Sequence, residues 1–337
     1  MRILICDDSK VARKSIANCI DASFAGDILF ATNGHEAIEI IEFQPVDIVF
    51  LDITMHEMDG FEVLSILQQR RCTAKIVMVS GDIQELAQAR CFELGAYAFV
   101  QKPLSSEVAI PLFNDLSIPY KRTSTERQHY SKAQMFERFQ ETSNIALGAG
   151  AATISMLLKE FILLPVPTVG ELSFSELTMM IQDTLTRENS CAAAQRFVGG
   201  GLHGEALVCI EGDSIAQVGE RLGFASGEVS NDEVVVNLVN VLVSSFLVSL
   251  SEQLCLEFSL REPLRINDFS QKIRCSRITS MYLPLNIPTM QRLWTCFVQS
   301  CLCSTRSQSI LFVAKWSYCN DDHDTGFVRL SLDHAAT

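Results

Sequence analysis

The sequence predicts an α/β protein: a doubly wound, five-stranded parallel sheet, followed by an α+β domain with pseudo-twofold symmetry and two long helices on an antiparallel sheet. Three observations carry this. Short apolar runs alternate with amphipathic stretches over residues 1–116, which implies βα units. Five such units in a row imply helices on both faces of one sheet. Beyond residue 131, a shift of 96 residues brings Glu137 onto Glu233, Asn144 onto Asn240, Gly148 onto Ser244, Leu158 onto Leu254 and Pro167 onto Pro263, an internal repeat.

In the first half, strands are expected at Arg2–Cys6, Asp27–Ala31, Val46–Leu51, Lys75–Val79 and Ala96–Gln101. Helices are expected at Ser9–Ile20, Gly34–Phe43, Gly60–Gln69, Gln84–Leu94 and Ser105–Leu116. Val46–Leu51 lacks a helical period and carries β-branched residues, as a buried parallel strand does. Residues 117–130 (SIPYKRTSTERQHY) are polar, contain Pro119 and mark a linker extending to residue 131. Ser131-x-x-Gln134 reads as a capping box opening a helix. Phe136, Phe139, Ser143, Ala146, Gly150, Ile154 and Leu157 form its inward stripe, and Glu137, Glu141, Asn144 and Gly148 share a second face. The two repeats span about 132–222 and 228–337. Hairpins are expected near Gln195–Glu211, around Gly199–Gly201, and near Ile310–Leu332, around Asn320–Gly326. Ser214–Leu222 and Thr289–Cys303 are expected to be helices.

The 337 residues carry 27 basic and 40 acidic side chains. Residues 1–116 hold 9 basic against 17 acidic, and 117–337 hold 18 against 23. Neither half offers a basic face for phosphates, which argues against nucleic-acid binding. Met1-Arg-Ile-Leu-Ile-Cys runs straight into Asp7-Asp8 without a leader pattern. The longest apolar run, Val234–Leu250, is interrupted by Asn237 and Asn240, amides costly in lipid, so a buried helix and no membrane insertion are expected. The 12 cysteines form no CxxC pair, which suits reduced thiols in a cytoplasm. Cys296, Cys301 and Cys303 have no histidine at ligand spacing nearby.

In a sheet of strand order 2-1-3-4-5, ligands collect where the order reverses, between the first and third strands. Those strands end in Asp7-Asp8 and Asp52. Three converging carboxylates repel one another unless a hard cation such as Mg²⁺ joins them. The fourth strand ends in Ser80 and the fifth in Lys102-Pro103. A hydroxyl and an ammonium facing a metal-bound carboxylate can hold a phosphoryl group, with Asp52 as nucleophile forming an acyl phosphate.

With Asp7-Asp8, Asp52, Met58-Asp59-Gly60, Ser80-Gly81 and Lys102-Pro103, residues 1–116 resemble the flavodoxin-like receiver domain of two-component response regulators. The resemblance implies that Asp52 accepts phosphate from a histidine kinase. It further implies that Mg²⁺ binds to Asp8 directly, to Asp7 through water, to Asp52, and to the backbone carbonyl of Thr54. Phe99 matches the aromatic that changes rotamer when Ser80 is drawn to the phosphate, and Thr54 and Asp82 stand where phosphate lifetime is tuned. His56 departs from the usual proline and removes no ligand.

Residues 132–337 resemble the CheC/CheX/FliY family of chemotaxis phosphatases. Its motif is Asp or Ser, three residues, Glu, two residues, Asn, 22 residues, Pro, and the first copy here reads Glu137, Glu141, Asn144, Pro167. The second has Asn240 and Pro263, with Asn237 where the acid belongs. The resemblance implies hydrolysis of an aspartyl phosphate on a chemotaxis-type receiver. Chemically, the amide of Asn144 can place an in-line water, and Glu141 can hold the receiver lysine or orient that water. Asn237 and Asn240 would form a degenerate site, or amides bonded within an apolar helix pair. Two alternatives stand beside this expectation: a phosphorylation-gated binding module for a receiver or motor component, and a phosphate sink acting in cis.

Overall fold

The computed structural model describes residues 1–121, 132–162, 190–199, 202–211, 215–224, 229–266 and 309–318, with short pieces at 164, 172–173, 179 and 292–293. The chain divides into two compact units, Met1–Ala152 and Thr153–Thr337.

In the first unit, β1 (Arg2–Cys6), β2 (Asp27–Ala31), β3 (Ile48–Leu51), β4 (Lys75–Ser80) and β5 (Ala98–Gln101) form one parallel sheet in the order β2-β1-β3-β4-β5. Between them run α1 (Lys10–Asn18), α2 (Gly34–Phe43), α3 (Gly60–Gln69), α4 (Glu85–Glu93) and α5 (Ser106–Asp115). Successive side chains on a strand face opposite ways. Ile3, Ile5, Phe50, Val77 and Val79 therefore pack under Ile16 of α1 and Ala109 and Phe113 of α5. The rings of Phe50 and Phe113 lie 5.8 Å apart. Leu4, Val49, Leu51 and Met78, in the alternate positions, are buried as well.

Local chemistry starts these helices as expected. Ser9, Asn33 and Asp59 each cap the first turn through a side-chain oxygen, and Asp59 forms a capping box with Glu62. The third strand begins at Ile48, not Val46. The side chain of Asp47 turns aside to accept the amide of Arg2 at 2.6 Å.

The helix α6 (Lys132–Leu158) begins in the first unit and ends in the second. Ser143, Ala146, Gly150 and Ile154 of its inward stripe are buried and Phe139 is half-buried; Leu157, expected to face inward, is exposed. Of the second face, Glu137 is exposed, Glu141 and Asn144 half-buried, and Gly148 buried.

In the second unit, β7 (Ser190–Gly199) and β8 (Leu202–Glu211) form the first expected hairpin. With β9 (Ser259–Leu260), β10 (Leu264–Ile266) and β12 (Ser309–Tyr318) they make an antiparallel sheet in the order β10-β7-β8-β12, β9 pairing β7. Leu172–Ser173 (β6) and Arg292–Leu293 (β11) pair as a two-stranded sheet. Arg292 and Leu293 thus form a strand inside the segment expected to be a helix, because backbone pairing with β6 outweighs the local apolar pattern. The short helix α7 (Ile215–Arg221) is present. The long helix α8 (Asn231–Leu254) lies against β7 and buries Val235, Leu238, Leu242, Phe246 and Leu250. Half of its apolar window is buried, although by length and composition it is apolar enough to cross a membrane. Glu233, paired by the repeat with Glu137, serves in the capping box of Ser230. The Ser131 cap, Pro167, Gly200 and Gly201, the turn at Asn320–Gly326 and most of 264–308 lie outside the described residues.

Candidate functional site

Strand ends build the site. The amide of Asp52 donates to the carbonyl of Cys6 at 3.0 Å, and that of Lys102 to Ser80 at 2.9 Å, so neighbouring strands fix where both side chains leave the sheet. Asp52 Oδ1 accepts from the amide of Ile53 at 2.8 Å, and Asp7 Oδ1 from that of Ser9 at the same distance. Gly60 is required here: a Cβ would overlap the carbonyl oxygen of Asp52. Asp7, Asp52, Ser80 and Lys102 are almost fully buried; Thr54 is 7% exposed in the loop after β3, and Phe99, half-buried, pairs with Met78.

The Lys102 ammonium is the centre of charge. It donates to Asp52 Oδ2 at 2.9 Å, and lies 2.7 Å from Asp7 Oδ2 and 3.2 Å from Glu141 Oε1. Burial disfavours its charge, but Asp52, Asp7 and Glu141 override this and hold its pKa well above the ordinary lysine value. Burial pushes Asp52 up to about 6 against the pull of Lys102, with Glu141 and Asp8 adding to the rise. Burial also raises Asp7 above the usual carboxylate range; Lys102 draws it down, while Asp52 and Glu141 push it up. The pocket is short of positive charge.

Carboxylate oxygens of Asp7, Asp8 and Asp52 lie within 4.8 Å of one another. Asp7 Oδ2 is buried without an aligned hydrogen bond, despite its ion pair with Lys102. An all-oxygen cluster with excess negative charge fits a hard dication of the Mg²⁺ kind.

Several features escape local sequence patterns. His56 Nδ1 lies 2.9 Å from Asp8 Oδ2, so this residue engages the acidic cluster instead of merely shaping its loop. Arg13 donates to the carbonyl of Asp7. Glu141 meets the lysine of its own chain. Gly148 of α6, on the helix face that carries Glu141 and Asn144, presses against Gly81, a contact that its place on that face did not reveal. In the second motif, both Asn237 and Asn240 are exposed on α8, and the Asn240 side-chain oxygen accepts from Gln195 Nε2 at 2.8 Å. That bond runs to the sheet, not to a twin helix.

The family model described as response regulator receiver domain matches residues 3–111. The protein-glutamate methylesterase/protein-glutamine glutaminase 3 of Geobacter sulfurreducens is 31% identical over 157 residues, 45% of this chain and 41% of that protein. Chemotaxis protein CheY of Listeria monocytogenes is 35% identical over 107 residues, 32% of this chain and 90% of that protein. Among solved structures, the CheX–CheY–BeF3–Mg complex from Borrelia burgdorferi matches at 33% identity, covering 34% of this chain and 89% of that one, with a TM-score of 0.32. The chain thus spans less than half of the methylesterase relative and nearly all of CheY. Through its parallel sheet, its strand-end carboxylates and its likeness to CheY over nearly the whole of that protein, the chain belongs to the response regulator receiver family.

Proposed function

We propose that this protein is a response regulator, phosphorylated on Asp52 by a histidine kinase, whose α6 helix carries an aspartyl-phosphate phosphatase acting on a receiver of the chemotaxis type. The observation that carries this reading is the 3.2 Å approach of Glu141 to Lys102, the residue that faces the phosphoacceptor. A carboxylate that seizes the lysine of a receiver brings its own helix face, and with it Asn144, to that receiver's reactive edge. The likeness to CheY supports the chemotaxis setting.

Asp52 attacks the phosphorus of the kinase's phosphohistidine, and the acyl phosphate remains in the cleft. Mg²⁺, held by Asp7, Asp8, Asp52 and the Thr54 carbonyl, would neutralise phosphoryl oxygens. Ser80 donates to one of them and Lys102 pairs with another, while Phe99 follows Ser80 inward. Asn144, half-buried beside Glu141, can both accept from and donate to a water. In-line attack by that water forms a P–O bond as the Asp52 carboxylate leaves with the electron pair of the old one; dihydrogen phosphate keeps both water protons. Positioning and electrostatics supply the acceleration, so no proton transfer to Asn144 is needed.

In the second motif, Asn237 supplies no carboxylate, and Gln195 engages the amide oxygen of Asn240. We assign this pair a structural role. The test is the lifetime of the acyl phosphate on Asp52 in the intact protein and in Glu141→Ala/Asn144→Ala. At least tenfold faster decay with the intact protein is expected; equal rates would refute the phosphatase and leave a phosphorylation-gated binding module.

A further inference from the structure

The contact between α6 and the cleft is made by backbone as well as by charge. A Cβ added at Gly148 would overlap the carbonyl oxygen and carbon of Gly81, and would come within 3.0 Å of the amide nitrogen of Asp82. A Cβ added at Gly81 would lie 3.0 Å from Ile145 Cα and 3.3 Å from Ile145 N. The helix and the β4–α4 loop therefore cross where neither carries a side chain. Glycine in a helix interior costs about 1 kcal/mol relative to alanine. At Gly148 that cost is offset by a close approach that alanine would forbid.

The position of the crossing matters. Gly81 directly follows Ser80, the buried hydroxyl at the end of β4. Glu141 anchors the same helix on Lys102, at the end of β5. Asn144 lies between these anchors in the chain, and its own carbonyl oxygen is 3.4 Å from the Cβ position of Gly81. Both anchors are on the receiver of the same chain.

We propose that the first substrate of the Glu141–Asn144 face is phospho-Asp52 of its own chain, and that the Gly81–Gly148 crossing selects it. The selected substrate class is a receiver with glycine directly after its β4 hydroxyl; a Cβ there would press on Ile145 Cα at 3.0 Å, and the helix would have to give by a few tenths of an ångström, shifting Asn144 relative to the phosphorus. This inference rests on the phosphatase reading above and names its substrate. The reaction is the same hydrolysis: water oxygen joins phosphorus, the Asp52–phosphorus bond breaks, and the carboxylate departs with the electron pair.

The full chain is phosphorylated with acetyl phosphate and Mg²⁺, freed of donor, and followed as residual phosphoprotein over a fifty-fold dilution series. The wild type should decay with first-order kinetics at a rate independent of dilution. Gly148→Ala and Gly81→Ala should each decay at least tenfold more slowly, with circular dichroism and melting reporting an intact fold. In a mixing arm, Asp52→Asn chains, which cannot be phosphorylated, are added to phosphorylated Glu141→Ala/Asn144→Ala chains. No acceleration is expected. If mixing accelerates decay and dilution slows it, the enzyme works in trans: the cis assignment is overturned and the phosphatase stands. If Glu141→Ala/Asn144→Ala decays as fast as wild type, the phosphatase itself fails. Wild-type lifetimes in both folded glycine variants would overturn the selection.

Discussion

Asp82 is nearly buried at the start of the loop that α6 crosses, and its charge weakens the fold. Burial raises its pKa from 3.8 to about 6, although bonds from the amide and side chain of Gln84, both at 3.1 Å, pull the other way. The folded carboxyl thus holds its proton more tightly than the unfolded one. The contribution of Asp82 to stability is greatest below about pH 4, falls as pH rises toward 6, and stays reduced above that. The rise from 3.8 to about 6 corresponds to roughly 3 kcal/mol. Asp82→Asn removes the buried charge while its oxygen still accepts from the Gln84 amide. Allowing about 1 kcal/mol for the altered bond to the Gln84 side chain, the variant should be more stable by about 2 kcal/mol at pH 7.5. At pH 3.5 the advantage should vanish. Hydrogen exchange of β3 and β4 peptides through a urea titration isolates the receiver transition, and with m near 2 kcal/mol per molar its midpoint should move by about 1 M. A variant less stable than wild type at pH 7.5, or one whose advantage is the same at both pH values, would refute the assignment of cost to the buried charge.

Asp52→Asn, or chelation of divalent cations from the wild type, should abolish labelling by acetyl phosphate, as read on phosphate-affinity gels. Lys102→Ala leaves buried carboxylates without their cation and should destabilise the receiver sheet by about 3 kcal/mol; part of the loss should return on addition of Mg²⁺, measured by thermal melting. Gln195→Ala removes a buried amide that bonds Asn240 and the carbonyl of Arg261, and should cost about 1–2 kcal/mol without changing phosphate lifetime. A changed lifetime would return the second motif to the catalytic machinery.

The receiver sheet was legible because strand order converts chain position into convergence: once five βα units wind as 2-1-3-4-5, Asp7, Asp8 and Asp52 must share one end. Ser80 and Lys102 follow for the same reason. The seat of Glu141 was legible only as chemistry, a carboxylate suited to a receiver lysine. Which receiver it meets depends on where a helical residue 39 positions after Lys102 comes to rest, and no local periodicity encodes that. The bond of His56 to the cluster was hidden for a similar reason, since its partner Asp8 is 48 residues away. The strand at Arg292–Leu293 was hidden because its pairing partner, Leu172–Ser173, is more than a hundred residues earlier.

An ammonium has three N–H donors, and Lys102 has three carboxylates around it: Asp7, Asp52 and Glu141. A phosphoryl oxygen that pairs with Lys102 must crowd out one of these partners. Asp7 is the most readily displaced, because its close oxygen takes no aligned hydrogen bond from Lys102, and because it belongs to the carboxylate cluster suited to a dication. Asp7, Asp8 and Asp52 would hold such a dication, and its charge would neutralise the carboxylates that crowd Lys102. Under the proposed chemistry, metal occupancy therefore decides whether docking of α6 and binding of phosphate compete or coexist. Hydrolysis in cis requires coexistence, and the arithmetic of donors on a single lysine supplies the physical reason for it to depend on the metal.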